Sequence, residues 1–153
     1  MSDLIGRFSL TSMEDIVNIS MPFLEMGREV KFTVVGNSMY PLFINNRDKV
    51  TVAVAKKIKK RDVILYRRAD GSYVLHRVVG KGKLGFKLCG DDQTAIEYPV
   101  KREDVIGVMT SFERKGTKYS TKCLWYRLYS FFWCLFIGLR PLKFKILKKL
   151  KRW

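Results

Sequence analysis

The sequence predicts a small, mainly β protein: a curved antiparallel β-sheet or partial barrel with a short N-terminal helix and a C-terminal helical appendage. From Val30 onward, short runs of β-forming residues alternate with turn signals rich in Gly, Asn and Asp. The chain has 153 residues and is 47% hydrophobic, which is enough for one domain with a real core and argues against disorder. We place the boundaries at 1–29 for the N-terminal helical segment, 30–116 for the β-domain and 117–153 for the tail.

The N-terminal segment carries a helix signal. Thr11 and Glu14 have the spacing of a capping box, and Pro22 is expected to bend or split the helix that follows. Its apolar face would be formed by Ile16, Val17 and Leu24. Residues 1–30 contain no apolar run long enough for a secretory signal or a membrane span.

The β-domain is predicted to contain six strands. They are expected over residues 30–35, 49–55, 63–67, 73–79, 84–89 and 104–112. Several short strands separated by turns are typical of a small, strongly curved sheet.

The tail combines an apolar and a basic segment. Residues 123–139 are rich in aromatic side chains, but only nine residues after Ser130 are uninterrupted, short of the roughly 20 needed to cross a bilayer. From Arg140 to Trp153 there are seven Lys or Arg and no acid, with apolar residues on one helical face. This pattern predicts an interfacial membrane anchor. The alternative is a helical hairpin packed on the β-domain or on a partner.

The net charge of +16 indicates an anionic partner, which is a membrane surface, a nucleic acid or an acidic peptide. A merely soluble basic surface is the plainer interpretation. The short segment before the β-domain holds no convincing helix-turn-helix, which argues against nucleic acid. The three cysteines show no CxxC spacing and there is one histidine, so no ordinary zinc site is apparent, and no cofactor is implied.

Two segments carry candidate chemistry. Ser38 lies between Gly36 and Pro41, where Gly36 allows close approach of the chain and Pro41 stiffens the turn. His76, the only histidine, lies in an apolar strand. A serine hydroxyl becomes a nucleophile when a base such as neutral imidazole removes its proton. Taken alone, Asn37-Ser38 also fits simple turn chemistry, and His76 also fits a satisfied core residue.

Five boxes in order give these residues a family context. They are Gly-Asn-Ser-Met-Tyr-Pro at 36–41, Arg-Asp-Val-Ile-Leu-Tyr at 61–66, His-Arg-Val-Val at 76–79, Gly-Asp-Asp at 90–92 and Val-Ile-Gly-Val at 105–108. Over residues 31–115 the chain resembles the type I signal peptidase superfamily, which also contains the self-cleaving SOS repressors. The base position of this family is occupied here by His76, so the chain resembles the family's Ser–His branch, which is found in the endoplasmic reticulum and in archaea. The resemblance implies a compact, mostly antiparallel β-fold.

The resemblance also implies roles for individual residues. Ser38 would be the catalytic nucleophile, with its own N–H in the oxyanion hole, and His76 would be the general base. Gly36 stands where some members of the family have a serine whose hydroxyl contributes to the oxyanion hole. Here backbone N–H groups or water would have to supply that hydrogen bond. Asp91 would orient the imidazole, and Glu97 stands at the position of a second acid. Met39 would lie on an apolar rim beside the nucleophile that receives the substrate.

The expected function is therefore that of a serine endopeptidase that cleaves a leader or signal segment from a precursor peptide. The basic tail suggests a peripheral enzyme on the cytoplasmic face of a bacterial inner membrane, similar to small, anchor-poor signal-peptidase-like proteins of bacteria. A membrane-anchored enzyme with its active site outside is one alternative. A non-catalytic peptide- or nucleic-acid-binding relative of the fold is the other, since fold kinship alone does not fix function.

Overall fold

The computed structural model describes residues 12–142. Within that range the chain forms two α-helices, two short 3-10 helices (Arg102–Asp104 and Ile137–Leu139) and eight strands. In chain order the α-helices and strands are α1 (Met13–Glu25), β1 (Val30–Thr33), β2 (Lys49–Ala53), β3 (Val63–Arg67), β4 (Tyr73–Lys81), β5 (Phe86–Cys89), β6 (Glu97–Val100), β7 (Val105–Arg114), β8 (Thr117–Ser120) and α2 (Leu124–Leu135).

The first helix begins at a serine cap. Ser12 Oγ accepts a hydrogen bond from the Asp15 N–H at 3.2 Å, which satisfies one of the free amides of the first turn. The expected cap was Thr11, which lies outside the described residues. Pro22 lies inside the helix without splitting it. The three residues predicted for the apolar face, Ile16, Val17 and Leu24, are buried as expected.

The strands form one antiparallel sheet in the order β1-β2-β7-β3-β4-β5-β6. Strand β8 pairs with the second half of β7, beyond the part of β7 that pairs with β3. Among the described strands β1 and β6 are open edges, so the sheet is not a closed barrel. Four register shifts interrupt the ladders, and such bulges increase the local twist that curves a sheet.

Two hydrophobic clusters stabilise the sheet. The larger one combines α1 with β1, β2 and β7, and it also takes in the Met39–Phe43 turn. The smaller one lies between β3, β4, β5 and β7. Because Ile16, Val17 and Leu24 belong to the larger cluster, α1 is part of the β-domain's core and not a separate segment.

The sheet continues past residue 116, where the tail was expected to begin. Thr117–Ser120 form β8, which pairs with β7 and extends the sheet past that point. Helix α2 then packs on the domain through Tyr126, Ser130 and Cys134, which are its buried residues. Helix α2, which lies in the described part of the expected tail, is therefore in contact with the β-domain. The predicted basic helix beyond Leu142 lies outside the described residues.

Candidate active site

Ser38 lies in a turn that follows the end of β1. Gly36 has a positive φ of 91°, a conformation that side chains disfavour, and its N–H donates to Asn45 Oδ1 at 2.9 Å. A Cβ at Gly36 would meet no atom within 4 Å. The glycine is therefore needed for its backbone angle, and not for the close chain approach expected from the sequence.

A second turn, formed by residues 90–93, contacts the backbone of Ser38. The Asp92 N–H donates to the Ser38 carbonyl oxygen at 2.9 Å. At Gly90 a Cβ would come within 2.6 Å of the same oxygen, so only glycine allows this contact. Arg77 pairs with Cys89 across the β4–β5 ladder, and the next position along each chain brings His76 opposite Gly90. The Ser38 turn and the Gly90–Asp92 turn are therefore in direct contact, and the His76 position of β4 lies next to the latter turn along the β4–β5 ladder.

The backbone amide of Ser38 has no acceptor among residues 12–142. An amide N–H that is free beside a nucleophilic hydroxyl is the kind of donor that stabilises a developing oxyanion.

His76 is fully buried, and its two ring nitrogens have different surroundings. Nδ1 lies 3.2 Å from the Tyr66 hydroxyl and 3.4 Å from Glu97 Oε1. Nε2 is buried and has no hydrogen-bond partner among the described residues. A buried polar atom without a partner costs free energy of about 1–3 kcal/mol, and Arg114 Nε is the other such atom among the described residues.

The hydrogen-bond distances assign the tautomer. Tyr66 has a single hydroxyl proton, and it donates that proton to Glu97 Oε2 at 2.6 Å. The phenolic oxygen must then accept from His76, which places a proton on Nδ1. The lone pair of the neutral imidazole is consequently on Nε2, as a general base requires.

Charge and burial both act on this imidazole. Burial lowers the pKa of His76 to about 4, and the Glu97 carboxylate opposes that shift while Arg68 adds to it. Partial burial raises the pKa of Glu97, but hydrogen bonds from Arg68 and Tyr66 outweigh this and leave it below its ordinary value. The result at neutral pH is a neutral imidazole next to an ionised carboxylate.

Asp91 does not orient the imidazole, contrary to the expectation. Its two carboxylate oxygens accept from Arg77 Nε at 2.8 Å and Arg77 Nη2 at 2.7 Å, and Tyr129 donates to it at 3.0 Å. Arg77 points to the opposite side of β4 from His76, as strand alternation predicts. Glu97, expected as a second acid, is the carboxylate that contacts the imidazole, together with the unpredicted Tyr66.

Met39, expected on an apolar rim beside Ser38, is buried next to that serine. Its side chain is only 1% exposed and belongs to the larger hydrophobic cluster. Met39 and Ser38 line a small cavity of about 50 Å³, whose other walls come mainly from α1, β1 and β4. The cavity could take a small side chain beside the serine.

Helix α2 and the segment after it donate side-chain hydrogen bonds to the backbone carbonyls of the Gly90 turn. Trp133 Nε1 donates to the Asp91 carbonyl at 3.1 Å, and Arg140 Nη1 donates to the Gly90 carbonyl at 3.0 Å and the Gln93 carbonyl at 3.1 Å. Arg77 Nη1 also donates to Ser130 Oγ at 2.7 Å. Arg77 and Arg140 have no sequence signal of their own, because all but one of their hydrogen-bond partners are 14 to 53 residues away.

Sequence comparisons with protein-family models and with curated proteins give no match. Within residues 12–142, no group of three or more His, Cys, Asp or Glu is arranged to hold a metal ion. The three cysteines are free thiols.

Proposed function

We propose that the protein is a serine endopeptidase of signal-peptidase type, which cleaves a leader or signal segment from a precursor peptide. The observation that carries the proposal is the buried, unpartnered Nε2 of His76, whose ring is held from the Nδ1 side by Tyr66 and Glu97. A core histidine with no function would be expected to have both nitrogens satisfied.

The proposed reaction begins with proton transfer from Ser38 Oγ to His76 Nε2 as the oxygen attacks the scissile carbonyl. The Ser38 N–H would stabilise the oxyanion of the tetrahedral intermediate. The imidazolium formed would be stabilised by the Glu97 carboxylate, directly and through the Tyr66 hydroxyl. Nε2 then protonates the leaving amine, and water hydrolyses the acyl ester on Ser38 by the same base.

The free protein has no hydrogen bond between Ser38 and His76 Nε2. The proposal therefore requires the turn that carries Ser38 to close on the imidazole when substrate binds. Catalytic hydrogen bonds are often long in free enzymes and tighten only in the substrate complex. Any such movement would have to keep or break the contacts that hold the Ser38 carbonyl against Gly90 and Asp92.

An extended peptide with a small side chain beside the scissile bond is the substrate that fits the cavity at Ser38. A volume of about 50 Å³ favours a small side chain over a large one. We further propose that the precursor is a cytosolic peptide and that the enzyme works on the cytoplasmic face of the membrane.

The test compares cleavage of a peptide library by the purified protein and its Ser38→Ala and His76→Gln variants. We expect both variants to lose cleavage by at least about 10³-fold, the size of effect seen when a member of a catalytic triad is removed. Ser72→Ala, a serine in the exposed β3–β4 turn, is the matched control and should cleave normally. Peptide binding that persists without cleavage by the unsubstituted protein would instead support a non-catalytic binder.

A further inference from the structure

Helix α2 has an inverted distribution of polarity. Its buried residues include Tyr126 and Ser130, which bond to Arg77, whereas its outward residues are large and apolar. The exposed apolar residues of the helix and the segment after it are Leu124, Trp125, Leu128, Phe131, Phe132, Leu135, Phe136, Leu139 and Leu142. We call this set the α2 outer face. A helix in a globular domain normally presents the reverse arrangement.

The outer face is continuous. With 3.6 residues per turn, the exposed apolar residues of α2 fall within a sector of roughly 120°. The opposite sector is occupied by contacts with the sheet domain, so only one side of the helix is open to a partner. Contiguous apolar surface of this kind marks a protein or membrane interaction site.

Basic side chains border the outer face. The Arg61 guanidinium lies 5.6 Å from the centre of the Phe131 ring, at the edge of the face. Next to it is a groove of about 740 Å³ with six Lys or Arg and two acids in its walls. The charged residues of this groove are Lys57, Lys59, Lys60, Arg61, Lys122, Arg127, Glu29 and Asp62. After Glu113 the chain contains no Asp or Glu at all.

We propose that the α2 outer face docks on an anionic lipid surface, with the helix lying in the plane of the interface. Phenylalanine, tryptophan and leucine side chains would enter the boundary between headgroups and acyl chains, and the basic groove would contact the headgroups. A second protein of the same net charge would bring further positive charge against this rim, so the charge distribution favours lipid. The inference does not depend on the proposed peptidase activity, because it concerns binding alone.

Docking by this face would bring the membrane close to the candidate active site. Trp133 and Arg140, which hold the Gly90 turn, belong to the same helix and the segment after it. A precursor bound at the lipid surface would therefore meet Ser38 near the interface.

The test is flotation of the purified full-length protein with phosphatidylcholine vesicles and with vesicles that also contain phosphatidylglycerol. We expect flotation mainly with the anionic vesicles and a decrease at high salt, because added ions screen the charges. The variant Leu128→Ser/Leu135→Ser should reduce the partition coefficient by about tenfold or more, since each leucine contributes transfer free energy. The matched control, Val54→Ser/Leu84→Ser, changes two exposed apolar residues elsewhere and should bind normally.

A second variant and a second measurement keep the proposal open to refutation. Arg127→Glu, on the exposed edge of α2, should weaken binding to the anionic vesicles only, and thermal melts would show that each variant is folded. Unchanged flotation of the leucine variant would assign membrane binding to another part of the chain, such as residues 143–153, and overturn the proposal. A dimer that the leucine variant abolishes, without flotation of the unsubstituted protein, would show that a second copy covers the face.

Discussion

At the scale of single residues, His76 links stability to pH. Its pKa is lowered from 6.5 to about 4, so the folded state disfavours the proton that the unfolded chain binds. Stability from this group is therefore present at pH 7 and is lost as pH falls from 6.5 towards 4. We expect a loss of about 2 kcal/mol in the free energy of unfolding between pH 7 and pH 5, measured by urea denaturation.

The control is His76→Gln, which lacks the titrating group. Its unfolding free energy should change much less between pH 7 and pH 5, because Glu97 has a lowered pKa and its contribution is lost only below its ordinary value of 4.5. Equal pH dependence of the two proteins would contradict the burial of a neutral imidazole.

Asp91 was expected to orient the His76 imidazole and Glu97 to be a second acid, but their carboxylates contact different groups. Glu97 contacts the imidazole, and Asp91 binds Arg77. Glu97→Gln removes the carboxylate that faces Nδ1 and the charge that raises the pKa of His76. We expect kcat to fall by roughly 10²-fold, less than the roughly 10⁴-fold effect in a Ser-His-Asp triad, because Tyr66 still orients the ring. The acid limb of the pH profile should move to lower pH.

The comparison variant is Asp91→Asn. Asp91 binds Arg77, and its charge raises the pKa of His76 less than that of Glu97 does, so its substitution should shift the acid limb less than Glu97→Gln. It should also lower the unfolding free energy, because a buried charge loses its partner. A shift of the acid limb with Asp91→Asn and none with Glu97→Gln would show that the two roles are reversed.

At the scale of elements, α2 and the residues after it act on the site through the Gly90 turn. Arg140→Ala would free the Gly90 and Gln93 carbonyls, which receive its guanidinium hydrogen bonds. We expect kcat to fall by about tenfold, because small displacements of a catalytic group are costly, with little change in KM. Steady-state kinetics with a soluble peptide would measure both constants without any contribution from lipid.

Arg127→Ala is the matched control, because Arg127 is an exposed arginine on α2, whereas Arg140 lies in the segment after that helix. It should leave kcat and KM unchanged. If Arg140→Ala also left kcat unchanged, the turn would be positioned by the sheet alone.

At the scale of the whole molecule, the sequence predicts the mainly β architecture, but it does not predict strands β6 and β8. Six strands were expected and all six are present, although several differ in length. Strand β6 gives no signal, because Pro99 interrupts it and it has no alternating apolar pattern. Strand β8 is four residues long and largely exposed, so only its pairing with β7 identifies it.

The candidate site shows the same limit. The turns at Ser38 and Gly90 could be predicted from local patterns, because glycine and turn residues have positional meaning. Their association with His76 came from the resemblance alone. The side chain that each acid contacts could not be predicted, because it depends on strand register. Asp91 follows β5, the strand that pairs with Arg77, whereas Glu97 begins β6. Helix α2 was predicted from apolar content, which does not show that its polar side binds a buried arginine.

The most direct test of the central claim compares new peptide N-termini, by mass spectrometry, in cells that carry the unsubstituted protein, Ser38→Ala or Ser72→Ala at equal levels. We predict that one class of precursor is cut with the unsubstituted protein and with Ser72→Ala, and accumulates uncut with Ser38→Ala. Cleavage sites with a small residue beside the scissile bond would agree with the cavity at Ser38. Identical N-termini in all three strains, with the precursors expressed, would contradict a peptidase that depends on Ser38.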